Sequence, residues 1–456
     1  MAPAPNDLLL ELHSLWHCVG HVVHLVGRIS RPARLPFCRT SRLVRRHWRQ
    51  LSRWRRWHQL AAHAVGRHSH SAGHLSLLHV FWEIGLVPIY LLVRIWGGKD
   101  RVYASFKFFI YTMAGSLGLL LSIQIIGLST GTFDMPTLLA GAWTNLDNAT
   151  LLGRTGLVSV GTLKSIAYVA FFIAFAIKIP IWPFHTWLPD AHTQAPTAGS
   201  MLLAGVLLKL GAYGFIRLVI PFFPEQANNT AGVLATLGML SIILGGYAAY
   251  GQWDFKRLVA YSSINHMGFV VLGIAVMAFT YGRSAQLGPV LTQDAIMATN
   301  GAVLQMVNHG LSAAGMFFLV GVIYERTHTR DLKEYGGIWS VLPVYGGILI
   351  FTSMASLGLP GLNGFVGEFM ITAGAWNIFY VQVALSMIGL LMTGAYILKG
   401  IGETLHGPTK PQWAGLPAMT WTEHFVIWPL MILMLSLGLW PQWMLAIIND
   451  TVTALF

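Results

Sequence analysis

The stretch from Phe171 to Pro183 reads FFIAFAIKIPIWP, an apolar run that ends on a lysine and is then cut by two prolines. It belongs to one of about ten apolar spans from Leu75 onward, each long enough to cross a hydrocarbon layer of roughly 30 Å as a helix. They cover about residues 75–96, 106–128, 158–183, 198–221, 231–251, 258–280, 296–322, 340–375, 379–400 and 421–446. Of the 456 residues, 55% are hydrophobic and 10% are charged, with a mean hydropathy of +0.59. An ordinary soluble protein carries about a quarter charged residues, so a soluble enzyme is excluded for most of the chain. The sequence predicts an all-α, polytopic transmembrane helix bundle.

Pro180 and Pro183 interrupt the third span, and the run LPGLNG from Leu359 to Gly364 interrupts the eighth. Proline removes a helical hydrogen bond and clashes with the preceding turn, which predicts two broken helices. The breaks lie five spans apart, in corresponding positions of two blocks. That is the pattern expected of two inverted five-helix repeats with active groups near the membrane midplane. One set of alternating loops holds Arg94, Lys99, Arg101, Lys107, Lys256, Arg257, Arg326, Arg330, Lys333 and Lys410. The opposite set holds Arg154, Lys164, Arg217 and Arg283, so the first set is assigned to the cytoplasm.

The net charge of +12 is not spread along the chain. Residues 1–74 hold twelve arginines, no lysine, ten of the 18 histidines and both cysteines. Cys18 and Cys38 have no metal-type spacing. Residues 8–27 read as an amphipathic helix with His13, His17, His21 and His24 along one face, without the cysteine or carboxylate that would complete a metal site. The Arg and Trp runs at 45–49 and 53–57 resemble an interfacial or nucleic-acid-binding patch. The stronger reading is a GC-rich gene read in the wrong frame, so residues 1–74 are expected not to be native family sequence. Residues 75–446 form the membrane domain in this reading, and 447–456 a short C-terminal tail.

A charge at the bilayer centre costs on the order of 3 kcal/mol, so intramembrane acids and bases are functional candidates. They are Glu83, Lys178 just before Pro180, Lys209 within LLAGVLLKL, His266, His309, and Glu368 at the end of the second break. Singly, each has a structural explanation: a Glu and a Lys can merely hold two helices together, and a core histidine can bond a serine or a carbonyl. Together, carboxylates, amines and imidazoles spread over six spans exceed what packing needs. Burial favours the neutral forms of Lys and Glu, and an approaching opposite charge reverses this, so a lysine with a movable carboxylate partner can be switched. Histidine, with an ordinary pKa near 6.5, suits a relay between such sites. No glycine-rich phosphate loop and no cysteine or histidine cluster for a metal, iron–sulfur or haem group is readable. The chemistry read here is protonic, with no cofactor in this chain. The tryptophans and tyrosines are expected to form interfacial belts.

Longer motifs surround these residues: FWEIGLVPIYLL from Phe81, IWGGKDRVYASFKFFIYTMAGS from Ile95, and FFIAFAIKIPIWPFHTWLPDAHTQAPTAGSMLLAGVLLKLGAYGFIR from Phe171. DFKRLVAYSSINHMGF from Asp254, VNHGLSAAGMFFLVGVIYERTHTRDLKEYGGIWS from Val307 and SLGLPGLNGFVGEFM from Ser356 follow. With them the sequence resembles the antiporter-like membrane subunits of proton-pumping NADH:quinone oxidoreductase, respiratory complex I. It is most similar to the M branch, the mitochondrial subunit 4 type.

The resemblance implies that Glu83 pairs with Lys178 and that a wire continues through Lys209, His266 and His309 to Glu368. It implies fourteen helices, the ten spans being the fifth to the fourteenth, with the first four not recognisable. A chain without them is expected to be unstable or inactive in its first half. It further implies a location in the bacterial cytoplasmic membrane, and as partners the neighbouring antiporter-like subunits, lipid, protons and internal water. Nucleic acid is not among the expected partners. NADH, FMN, iron–sulfur clusters and quinone are expected in other subunits. Multisubunit sodium/proton antiporters and membrane-bound hydrogenases share the fold and remain the alternatives.

Overall fold

The computed structural model describes residues 75–146 and 159–456. The histidine row, both cysteines, the arginine runs and Arg154 lie outside the described residues. The main helices are α1 (Leu75–Trp96), α2 (Arg101–Thr130), α3 (Val160–Lys178), α4 (Trp187–Gln194), α5 (Thr197–Phe222), α6 (Pro224–Tyr250) and α7 (Phe255–Thr280). They are followed by α8 (Ser284–Thr327), α9 (Pro343–Leu357), α10 (Asn363–Leu405), α11 (Trp421–Leu439) and α12 (Gln442–Thr453). Nine helices among the described residues are long and apolar enough to cross a membrane, and α9 is a shorter apolar helix. The only β-type pairing among them is an isolated bridge between Asp254 and Asp331.

Both expected breaks are present. α3 starts on Ser159, whose hydroxyl accepts from the Thr162 N–H, and ends at Lys178. There the N–H of Ile179 still bonds Phe175 and that of Ile181 reaches Ala176, but Pro180 and Pro183 have no N–H to give. The chain turns and resumes as α4 at Trp187. α9 closes on Gly358, whose φ of 82° suits a residue without a side chain, and α10 begins after the Leu359–Leu362 turn.

α10 itself bends at Phe379 (φ −128°, ψ 47°), so the second half of the broken span and the next crossing follow one another with no loop between them. With α3 joined to α4, and α9 to the first part of α10, the described helices occupy the ten apolar stretches read from the sequence.

α7 has no polar face to turn outward and lies buried on nearly all sides at the centre, against α4, α6, α8 and α10. Every group that this helix projects at mid-length is therefore shielded from lipid.

The structure departs from the sequence reading in four places. The last span is not continuous to residue 446: Trp440, forced towards an extended conformation by the following proline, separates α11 from α12. Residues 447–453 continue α12, with Ile448 and Val452 buried, rather than forming a tail. Lys256 is not a loop residue; it lies in the first turn of α7, buried, and its ammonium donates to the carbonyl of Ala195. Finally, the aromatic residues do not all serve as belts. Tyr250, Trp253, Trp421 and Trp440 are exposed, yet Trp143, Trp187, Tyr345 and Tyr396 are fully buried.

Candidate functional site

Lys178 is the last residue of α3, where unpaired carbonyls of the helix end face a cation favourably. It is buried, and its ammonium sits 4.8 Å from the ring centre of Trp82. Trp82 is fixed by donating to Ser116 Oγ at 3.2 Å and by an edge-to-face contact with Phe175, centroids 5.0 Å apart. Glu83, the next residue on α1, is half-buried, and its Oε1 has no hydrogen-bond partner. The ion pairs among the described residues join Lys107 and Arg257 to Asp190, His266 to Glu368, Arg326 to Glu423, and Arg330 to Asp254. Glu83 and Lys178 are not among them. The amine rests on an aromatic face while the expected carboxylate stands within electrostatic range of it, without a direct ion pair.

Lys209 lies between two π-helical turns of α5, Leu203–Leu207 and Phe215–Val219. In the first of these the N–H of Leu208 bonds Leu203, five residues back, and leaves free the Ala204 carbonyl that an α-turn would have used. The Lys209 ammonium takes that carbonyl and lies 2.7 Å from His309 Nδ1.

The meeting requires α5 and α8 to touch, and glycine permits it: a Cβ on Gly310 would stand 3.0 Å from the carbonyl oxygen of Gly205 and 3.8 Å from Lys209 Cε. His309 is buried, and its Nε2 has no protein partner.

The ring of His309 lies 5.8 Å from that of His266, centre to centre. His266 Nδ1 is 2.8 Å from Glu368 Oε1, and its Nε2 is 3.1 Å from the Tyr396 hydroxyl. The same Glu368 oxygen accepts from Gln305 Nε2 at 2.8 Å. Beside His266, Asn265 donates to Ile242 at 2.7 Å and accepts from Thr393 at 3.0 Å, which ties α6, α7 and α10 together. Asn308 and Asn363 exchange bonds to each other's carbonyls at 2.7 and 3.1 Å, locking the second break onto α8 one residue before His309.

The six residues singled out in the sequence therefore fall into one linked group and one separate group. Lys209, His309, His266 and Glu368 form a chain of contacts across α5, α8, α7 and α10. Glu83 and Lys178 lie within electrostatic range of each other but form no ion pair, and the Lys178 ammonium rests on Trp82. No direct side-chain contact joins Lys178 to Lys209, although a Cβ on Gly211 would come 2.8 Å from Ile179 N, so their helices pack closely there.

Sequence reasoning missed His192, fully buried on α4 with both ring nitrogens unpartnered and its ring stacked 4.4 Å from Phe317. It lies within electrostatic range of Lys209, Lys256 and His309. Gln305, Asn308, Asn363 and Tyr396 were also missed. The available signal was the presence of amides and a phenol inside otherwise apolar spans.

Residues 72–393 match the family described as NADH:quinone oxidoreductase/Mrp antiporter, TM. The chain is 38% identical over 382 residues to the NADH-quinone oxidoreductase subunit M of Rhodobacter capsulatus, covering 84% of this chain and 71% of that one. It is 42% identical over 375 residues to the subunit of the same name from Escherichia coli K12, covering 81% and 68%. Among solved structures it resembles a chain of respiratory complex I from Thermus thermophilus with bound NADH. The TM-score there is 0.70 at 29% identity, over 84% of this chain and 75% of that chain. A chain of the Mrp complex from Dietzia sp. shares the fold, with a TM-score of 0.67 at 19% identity over 84% and 74%. A buried Lys–His–His–Glu row in a polytopic bundle, the family match and relatives of this extent together make the chain a multi-pass membrane member of the NADH:quinone oxidoreductase/Mrp antiporter transmembrane family.

Proposed function

We propose that the chain is the M-type membrane-arm subunit of a bacterial NADH:quinone oxidoreductase and carries protons outward across the cytoplasmic membrane, driven by quinone reduction elsewhere in the complex. The observation that carries this reading is the contact row from Lys209 through His309 and His266 to Glu368. Each member can hold or release a proton, and each lies within hydrogen-bond or near-ring distance of the next.

In this reading Lys178 is the switched amine and Glu83 its modulating partner. Lys209, His309 and His266 relay, and Glu368 is the outlet. The gaps between Lys178 and Lys209 and between the two imidazoles are bridged by internal water, which buried polar groups without protein partners recruit. His309 Nε2 and both nitrogens of His192 are such groups.

This subunit binds no redox cofactor in our reading; NADH, FMN, iron–sulfur clusters and quinone belong to other subunits. Its partners are the adjoining antiporter-like subunits of the membrane arm. The test is replacement of Lys178 or Glu83 by Ala in the otherwise native complex, reconstituted in vesicles. The expected result is loss of most of the proton gradient formed per quinone reduced. Full gradients with both replacements would overturn the assigned roles. Co-purification of the tagged chain with sodium/proton antiport activity, and without quinone reductase activity, would favour the antiporter reading instead.

A further inference from the structure

The relay described above uses one side of the His266 ring. The other side faces Tyr396, a residue 1% exposed on the second part of α10, whose hydroxyl lies 3.1 Å from Nε2. A neutral imidazole has one N–H and one acceptor nitrogen. With the Tyr396 hydroxyl donating to Nε2, the single hydrogen of a neutral ring lies on Nδ1 and is directed at Glu368 Oε1. The tyrosine thus selects the tautomer of the histidine.

Next to Tyr396 is a cavity whose polar lining is Ser262, Ser353 and Ser356 in otherwise apolar walls, reaching Phe255 at the start of α7 and Ile401 near the end of α10. Its room for water is about 10 Å³, close to the roughly 10–15 Å³ that one molecule needs. Ser353 is 2% exposed, and its hydroxyl has only the thioether of Met316, 3.5 Å away, as an acceptor. A thioether is a weak acceptor, and a buried hydroxyl so poorly served beside a water-sized space is normally completed by a water molecule.

We propose that this cavity holds a water and that the water and Tyr396 form a second proton path into His266, from the Phe255 side, independent of Lys209 and His309. The proposal rests on the relay reading given above. In the step, the Nδ1 proton of His266 passes to Glu368 Oε1 and the phenolic proton passes to Nε2. The water reprotonates the phenolic oxygen and is itself restored by a proton arriving from the Phe255 side. One proton enters and one reaches Glu368, with no change of oxidation state. Rotation cannot move a hydrogen between ring nitrogens, so the starting tautomer returns by transfer of the Nε2 proton to Nδ1 through internal water, with no net proton gained or lost.

The experiment uses the assembled complex in vesicles with four versions of this chain: Tyr396→Phe, 3-fluorotyrosine or 2,3-difluorotyrosine at position 396, and His266→Ala. The expected results are a fall in pumping rate of about ten-fold or more for Tyr396→Phe and a graded change of rate with phenol acidity across the isosteric fluorotyrosines. The fluorotyrosines keep the shape of the ring, so they answer the question even if the phenylalanine variant assembles poorly. Native pumping in Tyr396→Phe would overturn the proposal. So would a slowed Tyr396→Phe accompanied by fluorotyrosine rates equal to the native one, because the hydroxyl would then be only structural. Native pumping in His266→Ala would overturn the relay reading itself, a result distinguishable from failure of the tyrosine path alone.

Discussion

Lys209 and His309, a hundred residues apart in sequence, meet at 2.7 Å because α5 surrenders one α-helical hydrogen bond and two glycines allow two helices to touch. The amine is aimed by backbone geometry as much as by its own side chain. It takes the Ala204 carbonyl that the π-turn leaves free, and this holds its head group against the imidazole.

The glycine contact is directly testable. Gly310→Val places a Cβ 3.0 Å from the Gly205 oxygen and further methyl groups beyond it, forcing the helices apart at a cost of about 1–3 kcal/mol. The expected outcome is a lower unfolding temperature of the purified complex and slower pumping per assembled complex. Unchanged values of both would show that the crossing has slack.

His266 and Glu368 should behave as one unit. Glu368→Gln keeps the size of the side chain but sets an amide against the donors of Gln305 and His266 that now share one carboxylate oxygen. His266→Gln removes the ring. Residues joined in one hydrogen-bonded network deviate from additivity by about 0.5–3 kcal/mol. The double variant should therefore pump scarcely less than the worse single one. Multiplying effects would indicate independent roles.

Arg326 binds the end of α8 to the start of α11. It forks onto Glu423 with both contacts at 2.8 Å and also reaches the carbonyls of Pro417, Ala418 and Val322. Its side chain is 6% exposed and that of Glu423 is 19% exposed, so Arg326→Ala should destabilise the subunit by about 2–4 kcal/mol through the charge and carbonyls left behind. Thermal inactivation of the complex measures it. Turnover of the molecules that remain assembled should stay near native, since none of the relay residues touches this clasp.

Tyr335 lies in the connection between α8 and α9, outside the membrane-spanning segments. Burial pushes its phenol up to about 12, and its hydroxyl donates to Thr329 at 2.6 Å. Folding therefore favours the neutral form. Its contribution is complete below the ordinary tyrosine value near 10 and declines as pH rises through 12. Tyrosinate absorbance should show one group in the native protein, missing from Tyr335→Phe, that ionises only at the upper end of this range. Identical alkaline titrations of the two proteins would contradict the assignment.

The membrane architecture was legible because long apolar spans and the prolines that break them are local signals. The six ionisable residues were legible for a related reason: a charge inside an apolar run stands out. Which charge meets which was not legible. Lys209 finds His309 across a helix crossing, and His266 finds Glu368 across 102 positions of sequence; such pairings belong to packing, not to pattern. The π-turns around Lys209 leave no compositional mark. Tyr396 was hidden by a reasonable generalisation, that aromatic residues with a polar tip gather at membrane surfaces, which holds for Trp253 and Trp421 but not for a phenol turned towards a buried imidazole. Pro441 was in plain view, yet the apolar residues on both sides of it read as one span.

Trp82 and Glu83 are neighbours on one helix, and a single amine lies within reach of their shared turn. In the proposed switch, a small twist of α1 would exchange a weak, diffuse attraction for a full opposite charge. The tryptophan is thus a parking place: it keeps the ammonium near its seat without neutralising it. On the switching proposed above, motion delivered to this helix by an adjoining protein would become an electrical event inside the bundle, with no need for the lysine itself to travel.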